Sequence, residues 1–140
     1  MGWQAFLAMR PPSVTHNDLK PYRRKNGTLG IRKSLRLHEL EVAYDARIRA
    51  AGVPDTPLGS GGQALAVTVR VCYAACGDGP RPHTVKPDLD NLLKTILDRL
   101  EECGVIVGDA QVCQIDASKA WMDPAGVFVR VDEVGEHGSA

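Results

Sequence analysis

The sequence predicts a single α+β domain of two layers, in which two main helices pack on a mixed β-sheet in the order β-α-β-α-β-β. The length, 140 residues, is that of one domain with a real core. Two segments carry apolar residues at helical spacing, and several others alternate apolar and polar residues or are rich in β-branched side chains. Helices that each bury one face against a sheet are the simplest arrangement for this order of elements.

The first half of the chain predicts one strand, one loop and one helix. Residues 3–9 read as a strand that ends at two prolines. Residues 18–30 are polar and basic, and we interpret them as a mobile loop, with simple disorder as the alternative. Residues 34–51 read as a helix, because Leu37, Leu40, Tyr44 and Ile48 keep near-helical spacing.

The second half predicts the rest of the sheet around a second helix. A connector rich in glycine and proline covers 54–62, a strand covers 64–74 and a loop covers 76–84. After the second helix, a strand begins at Val105, and further strands cover 111–121 and 127–131. We expect these last two strands to form a hairpin with a four-residue turn, and the tail at 135–140 to fray.

The composition is that of an ordinary globular protein, with 44% apolar and 24% charged residues. No apolar run approaches the length of about 18 residues needed to span a bilayer, and the first residues lack a signal-peptide layout. We therefore expect a cytoplasmic protein. Four cysteines show no zinc-finger spacing, so we expect buried reduced thiols rather than a metal site. They are Cys72, Cys76, Cys103 and Cys113.

The formal net charge is zero, but the charges are unevenly distributed. Residues 1–50 hold ten Lys or Arg against four acids, whereas residues 104–140 hold two basic residues against six acids. A basic half of this kind fits a surface that faces phosphate groups, with a solvated loop and helix face as the alternative.

The second helix carries the residues of greatest chemical interest. Its apolar stripe consists of Leu89, Leu92, Leu93, Ile96, Leu97, Leu100 and Cys103, and Gly104 is a plausible stop. Asp88 lies at the cap, and Asp90 and Lys94 share the polar face. If the chain reverses at Gly104, the rise per residue of helix and strand returns Asp109 to the start of the helix. Three carboxylates and an ammonium would then surround a hard cation such as Mg²⁺.

Each of these residues also has a simpler interpretation. Asp88 alone is commonly a helix cap, Asp90 and Lys94 alone an exposed ion pair, and Asp109 alone a turn residue. The geometry leaves nuclease, phosphatase and nucleotide-binding functions open.

The run K-P-D-L-D-N-L-L-K at 86–94, followed by D-A-Q-V at 109–112, resembles the RusA family of Holliday-junction resolvases, which are endodeoxyribonucleases. The spacings among Asp88, Asp90, Lys94, Asp109 and Lys119 match that family too. The stretch P-P-S-V-T-H-N at 11–17 is similar to a stretch common in RusA-like proteins, although Thr15 stands where asparagine is common.

The resemblance implies a RusA-like fold, a homodimer, and paired nicks in four-way junctions during DNA recombination and repair. It implies that Asp88, Asp90 and Asp109 bind catalytic Mg²⁺, for which Mn²⁺ is a possible substitute, and that Lys94 is needed for cleavage. We expect the basic loop to become ordered on DNA. The candidate contacts to the DNA backbone are Arg23, Arg24, Lys25, Arg81, Lys86 and Lys119.

One departure from the family concerns the last carboxylate. RusA-like proteins usually have two consecutive acidic residues where this chain has Gly108-Asp109, and Asp109 matches the second. Two alternatives therefore stay open. One is a catalytically impaired protein that binds junction DNA, and the other is a nuclease of the same fold that cuts flaps or other branched DNA.

Overall fold

The computed structural model describes residues 1–75, 77 and 79–135, and within them it confirms the predicted α+β class. Two helices accompany a mixed five-stranded sheet and a separate two-stranded hairpin. In chain order the elements are β1 (Gly2–Leu7), β2 (Leu19–Arg23), β3 (Leu29–Lys33), α1 (Leu35–Ala50), β4 (Ala64–Tyr73), β5 (Arg81–Pro82), α2 (Leu89–Glu102), a 3-10 turn (Asp109–Gln111), β6 (Val112–Trp121) and β7 (Gly126–Val134). The predicted frayed tail lies outside the described residues except for Gly135.

The five-stranded sheet has the order β1-β7-β4-β6-β5. Strand β4 is central and runs parallel to β6 and antiparallel to β7. At the edges, β1 pairs antiparallel with β7, and the short β5 pairs antiparallel with β6. Because α2 lies on the crossover from β4 to its parallel neighbour β6, the helix starts near the carboxyl end of β6 and the chain after it returns to the amino end of that strand.

The predicted hairpin between the last two strands is wrong. Strand β4 lies between β6 and β7, so the two strands are antiparallel but not adjacent. The connecting segment passes the end of β4, where the Met122 amide donates to the Tyr73 carbonyl at 2.7 Å. Four β4 side chains, at positions 65, 67, 69 and 71, are fully buried, and the central place in the sheet gives this strand a hydrogen-bonded neighbour on both edges.

Both main helices confirm their predicted apolar faces. In α1, the buried side chains are Leu37, Leu40, Tyr44 and Ile48, as the spacing predicts. In α2, four residues of the predicted stripe are buried and three are half-buried, and Thr95, which was not part of the stripe, is buried as well. The buried four are Leu92, Ile96, Leu97 and Leu100, and the half-buried three are Leu89, Leu93 and Cys103. The Ser34 hydroxyl caps α1 by accepting from the Leu37 amide, and Gly104, with φ of 83°, follows the end of α2. These faces join the buried strand residues in one core.

Three predicted segments differ from the structure. The predicted loop at 76–84 contains the two-residue strand β5, which pairs with β6. The predicted basic loop at 18–30 belongs largely to the β2–β3 hairpin, with a turn only at 24–28. The predicted strand starting at Val105 is a single bridge between Ile106 and Leu58. β-Branched residues favour buried extended chain, and Val105 and Ile106 are indeed buried, but they lack a neighbour long enough to continue a ladder.

The described cysteines do not share one environment. Cys72 is buried, Cys103 is half-buried and Cys113 is exposed, so the predicted burial is wrong for Cys113. Cys76 lies outside the described residues. In the part of the chain that the structure describes, no helix has the length and apolar character needed to cross a membrane.

Candidate active site

The loop before α2 is held firmly on strand β6. Strand β5 pairs Arg81 with Trp121, and the next residue but one, His83, is buried in a cluster with two aromatic rings. Its ring centroid lies 4.1 Å from that of Tyr73 and 4.4 Å from that of Trp121. Burial, with a contribution from the nearby Lys119 charge, lowers the pKa of His83, so this histidine is neutral at pH 7.

The two carboxylates at the start of α2 are little used by the fold. Asp88 has the backbone conformation of an N-cap, and its carbonyl accepts from the Leu92 amide at 3.1 Å, but its carboxylate makes no capping hydrogen bond. That carboxylate instead pairs with the exposed ammonium of Lys86 at 2.9 Å. Asp90 is exposed in the first turn and has no hydrogen bond or ion pair within the described residues. Both carboxylates therefore face solvent and are available to a ligand.

Lys94 makes different contacts from those that its spacing suggested. Its ammonium lies 3.1 Å from an Asp98 oxygen and 3.2 Å from an Asp109 oxygen, and no ion pair joins it to Asp90. The hydrogen bonds to Asp98 and Asp109 raise the pKa of Lys94, which keeps it a cation at neutral pH. Asp98 also lies four residues from Lys94, so the sequence allowed either partner.

Asp109 returns to α2 by way of the turn after Gly104. The Leu58 amide donates to the Val105 carbonyl at 2.8 Å, and the Val107 amide donates to the Leu58 carbonyl at 3.0 Å. These bonds direct the chain back along the helix, where the Asp109 amide donates to a Glu101 carboxylate oxygen at 3.2 Å. Asp109 thus contacts the polar face of α2 through Lys94 and Glu101, which sequence reasoning missed as a partner.

The three candidate carboxylates have the chemistry of ligands for a divalent cation. Carboxylate oxygens are the ligands that Mg²⁺ and Mn²⁺ prefer. Asp88 and Asp90 offer them at the start of α2, whereas Asp109 lies further along the helix, in contact with Lys94 and Glu101. Across residues 1–75, 77 and 79–135, however, no three His, Cys, Asp or Glu side chains are gathered as a metal site. The competing ion pairs with Lys86 and Lys94 are exposed, and such pairs are worth about 0–1 kcal/mol. The residues therefore fit a metal in chemistry, and the predicted three-carboxylate cluster is not assembled in this structure.

The predicted DNA contacts fall into three places. Arg23, Arg24 and Lys25 lie at the tip of the β2–β3 hairpin, where the Arg24 guanidinium donates to the Leu29 carbonyl at 2.6 Å. Arg81 lies with its guanidinium 5.8 Å from the centre of the Trp121 ring, and Lys86 is exposed beside Asp88. Of these basic groups, Lys86 lies at the acidic helix start, whereas Arg23, Arg24 and Lys25 lie on the separate β2–β3 hairpin.

Lys119, which we predicted to contact a phosphate of the DNA backbone, contacts main-chain carbonyls of the protein. It is half-buried on β6, and its ammonium donates to the carbonyls of Val85 and Pro87 at 2.5 and 2.6 Å. The structure thus uses this lysine within the protein, at the loop that precedes Asp88.

A cleft of about 350 Å³ opens beside the start of α2 and adds residues that the sequence did not single out as a site. Its lining includes Ser13, Asp18, Arg36, Lys86, Asp88 and Asn91. The Arg36 guanidinium donates to the Ser13 hydroxyl at 3.0 Å, and an Asp18 oxygen accepts from the Ser34 hydroxyl. The stretch at 11–17, which carried part of the family resemblance, was the sequence feature that pointed to the side of the cleft formed by Ser13.

The comparison with protein families bears on all of these residues. A family model described as endodeoxyribonuclease RusA matches residues 11–132, a range that contains every predicted site residue. No curated protein matches the chain. RusA family nucleases depend on a metal and act on junction DNA, in agreement with exposed carboxylates beside basic groups. The chain belongs to the RusA family of Holliday-junction endodeoxyribonucleases.

Proposed function

We propose that this chain resolves four-way junctions through paired nicks that depend on Mg²⁺, with Asp88, Asp90 and Asp109 as the metal ligands. One observation carries the proposal. The carboxylates of Asp88 and Asp90 are exposed at the start of α2 and are left almost unused by the fold, although the capping position of Asp88 invites a hydrogen bond. Mn²⁺ has the same preference for carboxylate oxygens and is the expected substitute.

The roles of the residues follow from their charge and position. An ion held by these carboxylates would supply Lewis acidity at the scissile phosphate and would make a water molecule more acidic. Lys94 places an ammonium 3.2 Å from Asp109, where a positive charge would stabilise negative charge that develops on the phosphate or on the leaving 3′ oxygen. The three carboxylates would hold the ion. A carboxylate oxygen of Glu101 accepts from the Asp109 amide and thereby orients Asp109.

We assign the grip on the DNA backbone to exposed basic groups on two segments of the chain. Lys86 and Arg81 lie on the loop before α2, and Arg23, Arg24 and Lys25 lie on the hairpin. Contacts to phosphates position the duplex without reading its sequence, which suits an enzyme that recognises the shape of a junction.

The proposed assembly is a homodimer in the cytoplasm of a bacterium, encoded by the bacterium or by a phage. A four-way junction offers two equivalent strands for cleavage, and a dimer with a two-fold axis would present one active site to each. Mass measurement of the complex with one junction tests this proposal, because two chains are expected for each junction.

The decisive experiment compares Asp90→Asn with the unchanged protein on an end-labelled four-way junction in Mg²⁺, beside a linear duplex. We expect paired nicks on the junction alone and a loss of cleavage of at least about 100-fold in the variant, because the contribution of the metal to such a reaction is worth several kcal/mol. Junction binding should be retained or become tighter, since a negative charge is removed. Asp55→Asn, at an exposed position in the connector, is the matched control and should cleave normally.

The presence of Gly108 favours one other function, which is junction binding without cleavage. In that case the protein would bind the junction and make no nicks in Mg²⁺ or in Mn²⁺, and Gly108→Asp would be the variant to try next. Nicks on a flap substrate but not on the four-way junction would instead identify a branched-DNA nuclease of the same fold.

A further inference from the structure

We propose that Lys119 is a positioning residue that holds the main chain immediately before Asp88, and that it does not bind the DNA backbone. The inference rests on the proposed function in one respect, which is that Asp88 is a metal ligand. The geometry of the loop is independent of that assignment.

The hydrogen bonds of Lys119 are directed at the protein itself. Its ammonium donates to the carbonyl oxygens of Val85 and Pro87 at 2.5 and 2.6 Å. A lysine ammonium has three donors, so two of them are used by main-chain groups on either side of Lys86. Lys86 is the contrasting case, because its side chain is 84% exposed and pairs only with the exposed Asp88.

Lys119 is itself fixed by the sheet. It lies in β6, opposite Val71 of the central strand, and its carbonyl accepts from the His83 amide at 3.3 Å. One residue therefore binds the loop at three points, His83 through its carbonyl and Val85 and Pro87 through its ammonium. The ring stacking of His83 on Tyr73 and Trp121 secures the same end of the loop.

The hydrogen bond from the Lys119 ammonium to the Pro87 carbonyl holds the residue next to Asp88, the proposed metal ligand. The first helical hydrogen bond of α2 is accepted by the Asp88 carbonyl. The Pro87 carbonyl precedes the helix, and without Lys119 it would need water as its hydrogen-bond donor. Lys119 occupies that carbonyl with a charged donor, which makes a stronger bond than a neutral one. The start of α2, and with it Asp88, is thereby tied to the central part of the sheet.

Metal binding without DNA tests this role most directly. Mn²⁺ is titrated into the metal-free protein, and the free ion is measured by its electron paramagnetic resonance signal. Lys119→Met keeps the length of the side chain but has no donor, and it should weaken Mn²⁺ binding by about tenfold, as removal of groups that orient metal ligands commonly does. Lys119→Arg should recover much of the affinity. The control Lys33→Met, which removes an exposed ammonium paired with Glu41, should bind Mn²⁺ with the affinity of the unchanged protein.

Junction binding in the presence of a chelator separates positioning from a phosphate contact. Lys119→Met should bind the junction within about twofold of the unchanged protein and with the same dependence on salt, whereas loss of a true phosphate contact lowers the salt slope by about 1. Lys86→Met is expected to show that lower slope. A lower slope in Lys119→Met would overturn the proposal.

Hydrogen exchange of the metal-free protein gives a result that does not depend on the metal site. The Leu92 amide, which donates to Asp88, should exchange about fivefold faster in Lys119→Met because the first turn opens more often, while amides of β4 stay unchanged. Unchanged exchange at Leu92 would refute the positioning role. If the unchanged protein binds no Mn²⁺, the proposed function fails, and the exchange data still decide the role of Lys119. If Lys119→Met does not fold, Lys119→Arg carries the same comparisons, with smaller effects in the same direction.

Discussion

The second helix and the β2–β3 hairpin present charged residues in opposite ways. Helix α2 buries a full apolar face against the sheet and carries its acids on the other side. The hairpin forms a two-stranded sheet of its own, and the apolar side chains of Leu19, Leu29 and Ile31 remain exposed. The clearest contrast is between two isoleucines, since Ile96 of α2 is 0% exposed and Ile31 of the hairpin is 71% exposed.

The charges follow the same division. Residues 19–33 contain six Lys or Arg and no Asp or Glu, whereas the start of α2 has Asp88 and Asp90 within three residues. Metal ligands must be held to within about 0.5 Å, which requires an element packed in the core. Attraction to phosphate acts over about 8–10 Å at ordinary salt, so basic groups function from an element outside the core. Metal binding and phosphate binding therefore tolerate different degrees of anchoring to the core.

The largest expected effect is on stability and uses the two isoleucines as a matched pair. Ile96→Ala should lower the free energy of unfolding by about 2–5 kcal/mol, because it leaves a cavity in the core. Ile31→Ala should change it by less than about 0.5 kcal/mol, because the side chain is exposed. Urea unfolding measures both values. Equal losses of unfolding free energy in the two variants would show that Ile31 is buried in solution, and would contradict the proposed difference between the hairpin and α2.

The next effect is on DNA binding and concerns the tip of the hairpin. The double variant Arg23→Gln, Lys25→Gln should weaken junction binding and reduce the magnitude of its salt slope by about 2, if both side chains contact phosphates. The cleavage rate at saturating protein should stay unchanged, because neither residue belongs to the acidic centre. The control is Arg130→Gln, which removes a guanidinium paired with Asp132 on β7. An unchanged salt slope in the double variant would remove the hairpin from the DNA interface.

The smallest effect concerns acid and His83, whose ring anchors the loop before α2. Burial lowers the pKa of His83 below its ordinary value of 6.5, so the unfolded chain takes up the proton first as the pH falls. The contribution of His83 to stability is therefore complete above pH 6.5 and is lost progressively below it. His83→Phe, which keeps the stacking, should lose less stability than the unchanged protein between pH 6.5 and 5 in urea unfolding. The exposed His38→Gln is the control, and it should keep the original slope.

Local pattern alone determined a large part of this protein. The spacing of Leu37, Leu40, Tyr44 and Ile48 identified the buried face of α1, and the alternation from Leu65 to Val71 identified the central strand. The motif at 86–94 also identified the family, because its residue types and their spacing are read directly from the sequence, without knowledge of the fold. Each of these features depends on neighbours within a few residues along the chain.

Tertiary structure decided which residues meet across long separations. Strand β4 enters between β6 and β7, Lys94 pairs with Asp98 and Asp109 instead of Asp90, and Lys119 binds the carbonyls of Val85 and Pro87. Periodicity states which face of an element is buried but does not name the element that covers it, because that choice depends on the packing of the whole core. The hairpin at 19–33 was missed for a related reason. Its apolar side chains are exposed and its sequence is basic, so the pattern that reveals a half-buried strand is absent. Backbone pairing and cation–π contacts of Arg24 and Arg32 with Tyr22 make the segment regular.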